Sequence, residues 1–397
     1  MLPDFFKRSL LEGEDRLDKK HSLQLRGVNN KDGTLRWVYP SSSSIPTFLS
    51  FYNQSSIKAS LFAIGIKILF EIGLSRFVAK KKISCDFSED SVIFYLLEKY
   101  KPYSYSIFLG TVGENRKILV ELHGHNNCQV FVKVPISEKS KNLIRNEVAT
   151  ISRLEAYDFR VMKLPKVLSS HKKGFVELSN IRPAKFKQPS QFLNIHGEAL
   201  SELYSVGVSK CKIEPKSYLD LVERLEARIF SNKQADHLKT IYPFLELLST
   251  VRSAINVLNA DFDVYCSIGH GDYTPWNNFV DHNNVYVFDW ELSEPTLPLL
   301  YDFFHFIVQS EALIKNNDFG AISLKILSAR RLNSIVLMEA KYKFNFNLQF
   351  VIYLLRVTIY HVDIYSLQSN LHFQGRRLLN IWKEGIEHYI EKEGNIF

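Results

Sequence analysis

The 397-residue chain has four cysteines, Cys85, Cys128, Cys211 and Cys266, which lie far apart and form no Cys-x-x-Cys pair. That spacing excludes a zinc ribbon and a disulfide framework, and a reducing cytoplasm is the expected setting. No stretch reaches the roughly 20 unbroken apolar residues of a membrane span. Ser55 to Leu74, the most apolar segment of the amino third, is interrupted by Lys67 and Glu71 at helical i,i+4 spacing. The first residues include Asp4, Lys7 and Arg8 and no apolar h-region, so a secretion signal is not expected. No zinc-finger or RNA-binding signature accompanies the 50 Lys and Arg that outnumber 42 Asp and Glu, so nucleic acid is not an expected partner. The formal charge of +8 suits an anionic ligand such as a nucleotide, or a membrane surface.

Hydrophobic residues make up 46% of the chain and aromatics 13%, ample for globular folding, and the length calls for two or three packed units. Residues 1–35 are polar and charged and suggest a loosely packed arm. Trp37 to Tyr52, with Pro40 and Pro46, suggests extended structure with a turn. Ser55 to Leu74 is either a buried helix or one lying on a membrane surface. The following Lys80-Lys81-Lys82 fits a peripheral membrane contact or a solvated turn. From Tyr105 the pattern becomes strands: Tyr105 to Leu109, Lys117 to Leu122 and Gln129 to Val134, an antiparallel meander whose first turn holds Gly110 and Gly113. Lys133 sits in the third strand between apolar neighbours, where a buried ammonium needs an anion. Glu147, on a helix expected over Ser140 to Tyr157, is the natural partner, unless Lys133 points outward from an edge strand. Lys166 to Leu168 and Gly174 to Leu178 are further strands, and a boundary falls near residue 180. Helical periodicity follows over Glu198 to Val206, Ser217 to Phe230, Ala235 to Leu258 (with Pro243 inside), Ile322 to Met338, Phe350 to Tyr365 and Gly375 to Glu391.

The stretch 270–291, His-Gly-Asp-Tyr-Thr-Pro-Trp-Asn-Asn-Phe-Val-Asp-His-Asn-Asn-Val-Tyr-Val-Phe-Asp-Trp-Glu, carries the chemistry. Two short apolar runs flank the turn Asp281-His282-Asn283-Asn284, a hairpin that brings Asn277 nearly opposite Asp289. A hard dication sharing its shell with phosphate needs such sparse oxygen ligation. Asp272, on the loop entering the hairpin, is free to orient an attacking hydroxyl. The spacing of acid, amide and acid suggests phosphoryl transfer. His270 has a supporting role in the catalytic set, and Trp290 belongs to the core.

His-Gly-Asp-x-x-x-x-Asn followed by Asp-Trp-Glu resembles the catalytic core of the aminoglycoside phosphotransferase and choline kinase family, relatives of the protein kinases. The match is specific over residues 268 to 304, extends over about 101 to 305, and is silent before 100. The resemblance implies an α+β, bilobal protein kinase-like fold. Its parts would be an accessory region (1–100), an antiparallel-sheet N-lobe (101–180) and a mainly helical C-lobe (181–397). It implies Asp272 as catalytic base, Asn277 and Asp289 as Mg²⁺ ligands, and Asp302 as the brace of the catalytic loop. It implies ATP as cofactor, with Lys133 on its α- and β-phosphates, Glu147 holding Lys133, and Gly110 and Gly113 in the turn over the phosphates. Glu177 to Asn180, including Ser179, would connect the lobes and offer backbone groups to adenine. No protein-kinase activation segment separates Asp289 from Asp302. The expected acceptor is therefore a small hydroxyl compound such as a sugar, a glycan precursor or an amino alcohol. The competing reading is a kinase-like binding module acting through partners.

Overall fold

The computed structural model describes residues 2–13, 20–30, 33–51, 57–79, 82–111, 113, 115–124, 129–183, 187–231, 238–258, 260–368 and 371–392. Lys80, Lys81, Cys128, the tip of the turn after His123 and the start of the helix expected from Ala235 lie outside them. The chain divides into two compact units, Met1–Ala156 with Leu164–Arg182, and Tyr157–Lys163 with Pro183–Phe397.

The first unit is organised on one eight-stranded sheet. Its strands are β1 (Lys20–Asn29), β2 (Leu35–Pro40), β3 (Lys82–Ser88), β4 (Ser104–Phe108), β5 (Lys117–His123), β6 (Gln129–Pro135), β8 (Val167–Ser170) and β9 (Val176–Ser179), while β7 (Met162–Lys163) belongs to the second unit. The order is β3-β1-β2-β4-β5-β6-β9-β8, and neighbours run antiparallel. Alternation along β6 decides what each face carries. Val130, Val132 and Val134 enter one core, and Lys133 turns to the other face.

The described residues of 1–35 are not a loose arm. Helix α1 (Asp4–Phe6) and the wide turn Lys7–Leu11 bury Phe6, Leu10 and Leu11 in the same core as α3 (Val92–Tyr100), and β1 pairs with both β2 and β3. The charged residues between them disguised three apolar anchors. Strand β2 is covered on both faces: Val38 joins that core, while Trp37 and Tyr39 join a smaller one with Phe48, Ala63, Ile66 and Phe70. Phe48 comes from the 3₁₀ turn Thr47–Phe51 and the other three from α2 (Ile57–Glu71), and β2 pairs directly with β4 in the sheet. Helix α4 (Glu138–Leu154) follows β6 and starts in a capping box, Ser137 accepting from the Ser140 N–H at 3.1 Å and Ser140 Oγ from the Ser137 N–H at 3.0 Å.

The second unit is mainly helical: α5 (Asn194–Ser205), α6 (Pro215–Ser231), α7 (Leu238–Leu258), α8 (Tyr301–Gln309), α9 (Phe319–Arg330), α10 (Asn333–Tyr342), α11 (Phe346–Tyr365) and α12 (Phe373–Glu391). Every residue of α8 is buried, and Phe304 packs on Phe350 of α11 with ring centroids 4.8 Å apart. The single helix expected over Ile322 to Met338 is two, α9 and α10. The break is fixed from outside, because Asn194 Oδ1 accepts from the Ser334 N–H at 2.9 Å and Arg330 clamps Glu339 with contacts of 2.7–3.0 Å. Helix α7 runs through Pro243, which lies in its second turn and forfeits a single intrahelical bond. Two small sheets carry the loops described next: β10 (Val208–Ile213), β11 (Phe262–Gly269) and β14 (Glu294–Pro298) form one, and β12 (Asn278–Val280), β13 (Val285–Val287) and β7 form the other.

Candidate active site

Strand β11 hands the chain to a loop whose shape is locked by one buried carboxylate. Asp302, in the first turn of α8 and 1% exposed, accepts from the backbone N–H groups of His270 at 2.7 Å and Gly271 at 3.0 Å. Burial pushes the Asp302 pKa up, and the His270 ring and the two N–H groups oppose that rise. Gly271 adopts φ +81°, and a Cβ there would lie 2.1 Å from the Leu292 carbonyl oxygen, so the turn excludes side chains. His270 is fully buried. Its Nε2 lies 3.0 Å from the Phe288 carbonyl and its Nδ1 accepts from the Asp272 N–H at 3.2 Å. Both ring nitrogens are committed, so His270 shapes the loop and holds no nitrogen open for proton transfer.

The Asp272 carboxylate is held from two sides. His305 Nε2 lies 3.1 Å from Oδ1, and Asn277 Nδ2 donates to Oδ2 at 2.8 Å and to the Asp272 carbonyl at 2.9 Å. That use of the amide nitrogen leaves Asn277 Oδ1 as the atom able to meet a cation. The Tyr353 hydroxyl stands 3.5 Å from His305 Nδ1, behind the pair. His305 escaped the sequence reading, although its place three residues after Asp302 on one helix puts both side chains toward the same loop.

The hairpin forms over the expected residues. Its turn is pinned by Asp281 Oδ1, which accepts from the N–H groups of Asn283 and Asn284 at 2.8 Å each. These bonds and one from the Tyr286 hydroxyl outweigh the effect of burial and pull the Asp281 pKa down. The register pairs Asn278 with Val287, and the Phe288 N–H donates to the Asn277 carbonyl at 3.1 Å. Asn277 therefore stands opposite Phe288, and Asp289 is one residue further along. At Asp289 the backbone turns into the left-handed region, φ 68° and ψ 56°, a costly choice for a residue other than glycine. The chain then passes through the 3₁₀ turn Trp290–Leu292 and the short strand β14 directly into α8, with no long loop between. Trp290 is fully buried, its Nε1 donating to Val287 O at 3.0 Å.

Beside Gly271 and Leu292 the second unit opens a groove of about 670 Å³. Tyr218, Arg224, Arg228, Glu294, Tyr301 and Arg356 line it. Glu294 is bound by Arg356 Nη2 at 2.5 Å, and Arg228 pairs with Asp363.

In the first unit Lys133 is 5% exposed and Glu147 fully buried, and the ammonium donates to both carboxylate oxygens at 2.7 and 2.6 Å. The expected pair therefore forms, and Lys133 does not point outward. On the same sheet face the sequence reading missed a second buried carboxylate. Glu121, cross-strand from Phe131, has Arg182 Nη2 at 3.3 Å and His123 Nε2 at 3.0 Å, and the Arg182 guanidinium lies 4.5 Å above the Phe131 ring. Gly110 has φ +77°, and a Cβ would meet the Lys117 carbonyl oxygen at 2.2 Å, while Gly113 has φ +151°. Glu177 and Ser179 lie inside β9, not in a connector. Glu177 is buried and accepts from Lys99 at 2.5 Å, from His171 at 2.6 Å and from Tyr100. Burial raises its pKa, but those three donors together pull it below the usual carboxylate value. The Ser179 N–H is taken by the Lys166 carbonyl at 3.0 Å.

No family model matches the chain, and no curated protein matches it in sequence. Among solved structures it is similar to the ADP-bound aminoglycoside phosphotransferase APH(2'')-Ib, at 15% identity over 73% of this chain and 96% of that one, with a TM-score of 0.45. It is also similar to a choline/ethanolamine kinase family protein from Mesorhizobium loti, at 14% identity over 64% and 76% of the two chains and a TM-score of 0.39. A third likeness is to glucosamine kinase in complex with glucosamine, ADP and inorganic phosphate, at 12% identity over 72% and 82% and a TM-score of 0.41.

Proposed function

We propose that the protein is an ATP- and Mg²⁺-dependent phosphotransferase that moves the γ-phosphoryl group to a hydroxyl of a small acceptor. The observation that carries this is the Asp272 carboxylate, fixed by His305 and Asn277 on a loop that Asp302 clamps, directly ahead of the strained turn at Asp289. Fixed geometry is what such chemistry needs, since positioning and electrostatics supply most of its acceleration. Asp272 orients the acceptor hydroxyl and takes its proton. His305 and Asn277 hold the carboxylate so that one rotamer faces the acceptor. The amide oxygen of Asn277 and the carboxylate of Asp289 are hard oxygen donors of the kind Mg²⁺ prefers, and they would hold it. Bound Mg²⁺ would neutralise charge on the β- and γ-phosphates. Lys133, oriented by Glu147, would support the triphosphate, and the backbone N–H groups of the turn holding Gly110 and Gly113 would be available to its phosphates. The N–H groups of Ser179 and Asn180 are already used by the Lys166 and Gln129 carbonyls, so neither offers a free N–H to adenine.

The acceptor is a small molecule rather than a protein, because the chain from Asp289 to α8 offers no segment to lay a peptide on. It is a sugar or related alcohol without several amines. Each acid lining the groove has a cationic partner, Glu294 with Arg356, Asp363 with Arg228 and Glu214 with Lys212, and the exposed Arg224 adds further positive charge. Free thiols at Cys85, Cys211 and Cys266 agree with a reducing cytoplasm. The test is transfer of radiolabelled γ-phosphate from ATP to a panel of neutral sugars, acidic sugars and amino alcohols. Asp272→Asn should lower turnover by roughly 10²–10⁴-fold, the usual worth of a positioned base. Full turnover in that variant would remove the assignment.

A further inference from the structure

Helix α2 is apolar on two opposite faces. Ala63, Ile66 and Phe70 are buried against β2, as an amphipathic helix requires. Leu61, Ile64, Ile68 and Ile72 recur every three or four residues on the opposite face, and they are 63%, 53%, 49% and 60% exposed. Phe62 on the flank and Phe77 in the following 3₁₀ turn, Ser75–Phe77, extend the patch at 47% and 56% exposure. Isolated exposed apolar residues are ordinary, but a contiguous stripe of this length marks a surface that something covers. The charge around it selects the cover. Residues 57–82 contain Lys58, Lys67, Arg76, Lys80, Lys81 and Lys82 against the single acid Glu71. Lys67, Arg76 and Lys82 are exposed, and the Arg76 guanidinium lies 5.2 Å from the Phe77 ring centroid. A second copy of the chain docked on this stripe would set like charges against each other. Among the described residues no helix is long and apolar enough to cross a membrane.

We propose that α2 lies in the interface of an anionic bilayer, with Leu61, Ile64, Ile68, Ile72 and Phe77 among the acyl chains and the basic residues at the headgroups. The chain is then held at the surface by one face of its amino-terminal unit. This placement is independent of the phosphotransfer reading and would stand if that reading failed.

The experiment is co-sedimentation of the full chain with phosphatidylcholine vesicles and with phosphatidylcholine–phosphatidylglycerol vesicles. It is run beside the triple variant Ile64→Ser/Ile68→Ser/Ile72→Ser, whose substituted side chains are exposed. The wild type should pellet with the mixed vesicles, be released by high salt, and bind neutral vesicles weakly. The triple variant should bind at least roughly tenfold more weakly, since three apolar side chains no longer enter the interface, with an unchanged thermal midpoint. Charge reversal by Lys67→Glu/Arg76→Glu should weaken only the anionic component. A wild type that stays in the supernatant with both vesicle types overturns the proposal. So does a concentration-dependent dimer that the triple variant disperses, because the face would then be an interface between copies.

Discussion

Removing the lysine of the Lys133–Glu147 pair should reveal how completely the pair is buried. With Lys133 5% exposed, Glu147 fully buried and both carboxylate oxygens contacted at 2.6–2.7 Å, the pair is largely shut off from water. Lys133→Met leaves a buried carboxylate without its main counter-charge, a change that typically costs about 3–5 kcal/mol. For a chain of two units this lowers the thermal midpoint of the first unit by on the order of 10 °C. Removing both charges, as Lys133→Met/Glu147→Leu, should recover most of that loss, because two apolar side chains no longer carry a desolvation cost. Urea titration of the four proteins of this cycle gives the coupling energy, and the same four are tested for stabilisation by ATP. The expected result is a coupling of several kcal/mol in stability, with nucleotide stabilisation lost in both proteins that lack Lys133. A Lys133→Met protein as stable as the wild type would refute the reasoning, since the lysine would then have been hydrated all along.

Two further outcomes are expected. His305→Leu should cut turnover at least roughly tenfold, and His305→Gln, which keeps an N–H donor for Asp272, should restore part of it, as judged by steady-state rates on proteins of matched thermal midpoint. His196 is fully buried, and burial holds its pKa near 4 against 6.5 in the unfolded chain. The unfolded state therefore binds a proton that the folded state refuses, so stability is complete above about pH 6.5 and falls as pH drops toward 4. The loss from this group is up to roughly 3 kcal/mol, and His196→Phe should make that limb shallower in urea titrations across the same pH range, with His361, whose pKa burial also lowers to about 4, keeping its own share.

The hairpin was legible because Asp281, Asn283 and Asn284 are turn formers between β-forming runs, and local chemistry decides such a turn. Lys133 and Glu147 were legible because a lysine between apolar strand residues has few ways to be tolerated. Residues 1–35 were not, because Phe6, Leu10 and Leu11 are scattered among charges and acquire meaning only from α3, some eighty residues on. The break between α9 and α10 is set by Asn194, far away in the chain, which no window of periodicity can include. Strand β10 has no clear strand signal, since in Val208-Ser-Lys-Cys-Lys-Ile213 the two adjacent polar residues Ser209 and Lys210 break the alternation, and its pairing with β11 fixes it as a strand. Glu177 looked like a connector from its position, yet its carboxylate gathers Lys99, Tyr100 and His171 from elements distant in sequence. His305 needed one added step, asking what else the Asp302 helix presents to the loop.

The central claim is that Asn277 and Asp289 hold a metal that carries the nucleotide phosphates. Its most direct test is the thermal midpoint of the purified protein with ATP and Mg²⁺, with ATP and EDTA, and with Mg²⁺ alone, repeated on Asp289→Ala. A ligand bound only by the folded state stabilises by about 2.7 kcal/mol at a hundredfold excess over its dissociation constant. A rise that requires both ATP and Mg²⁺ and disappears in Asp289→Ala is the result expected. No rise at any concentration of ATP or GTP, or an equal rise in Asp289→Ala, would contradict the account and favour a binding module that acts through partners.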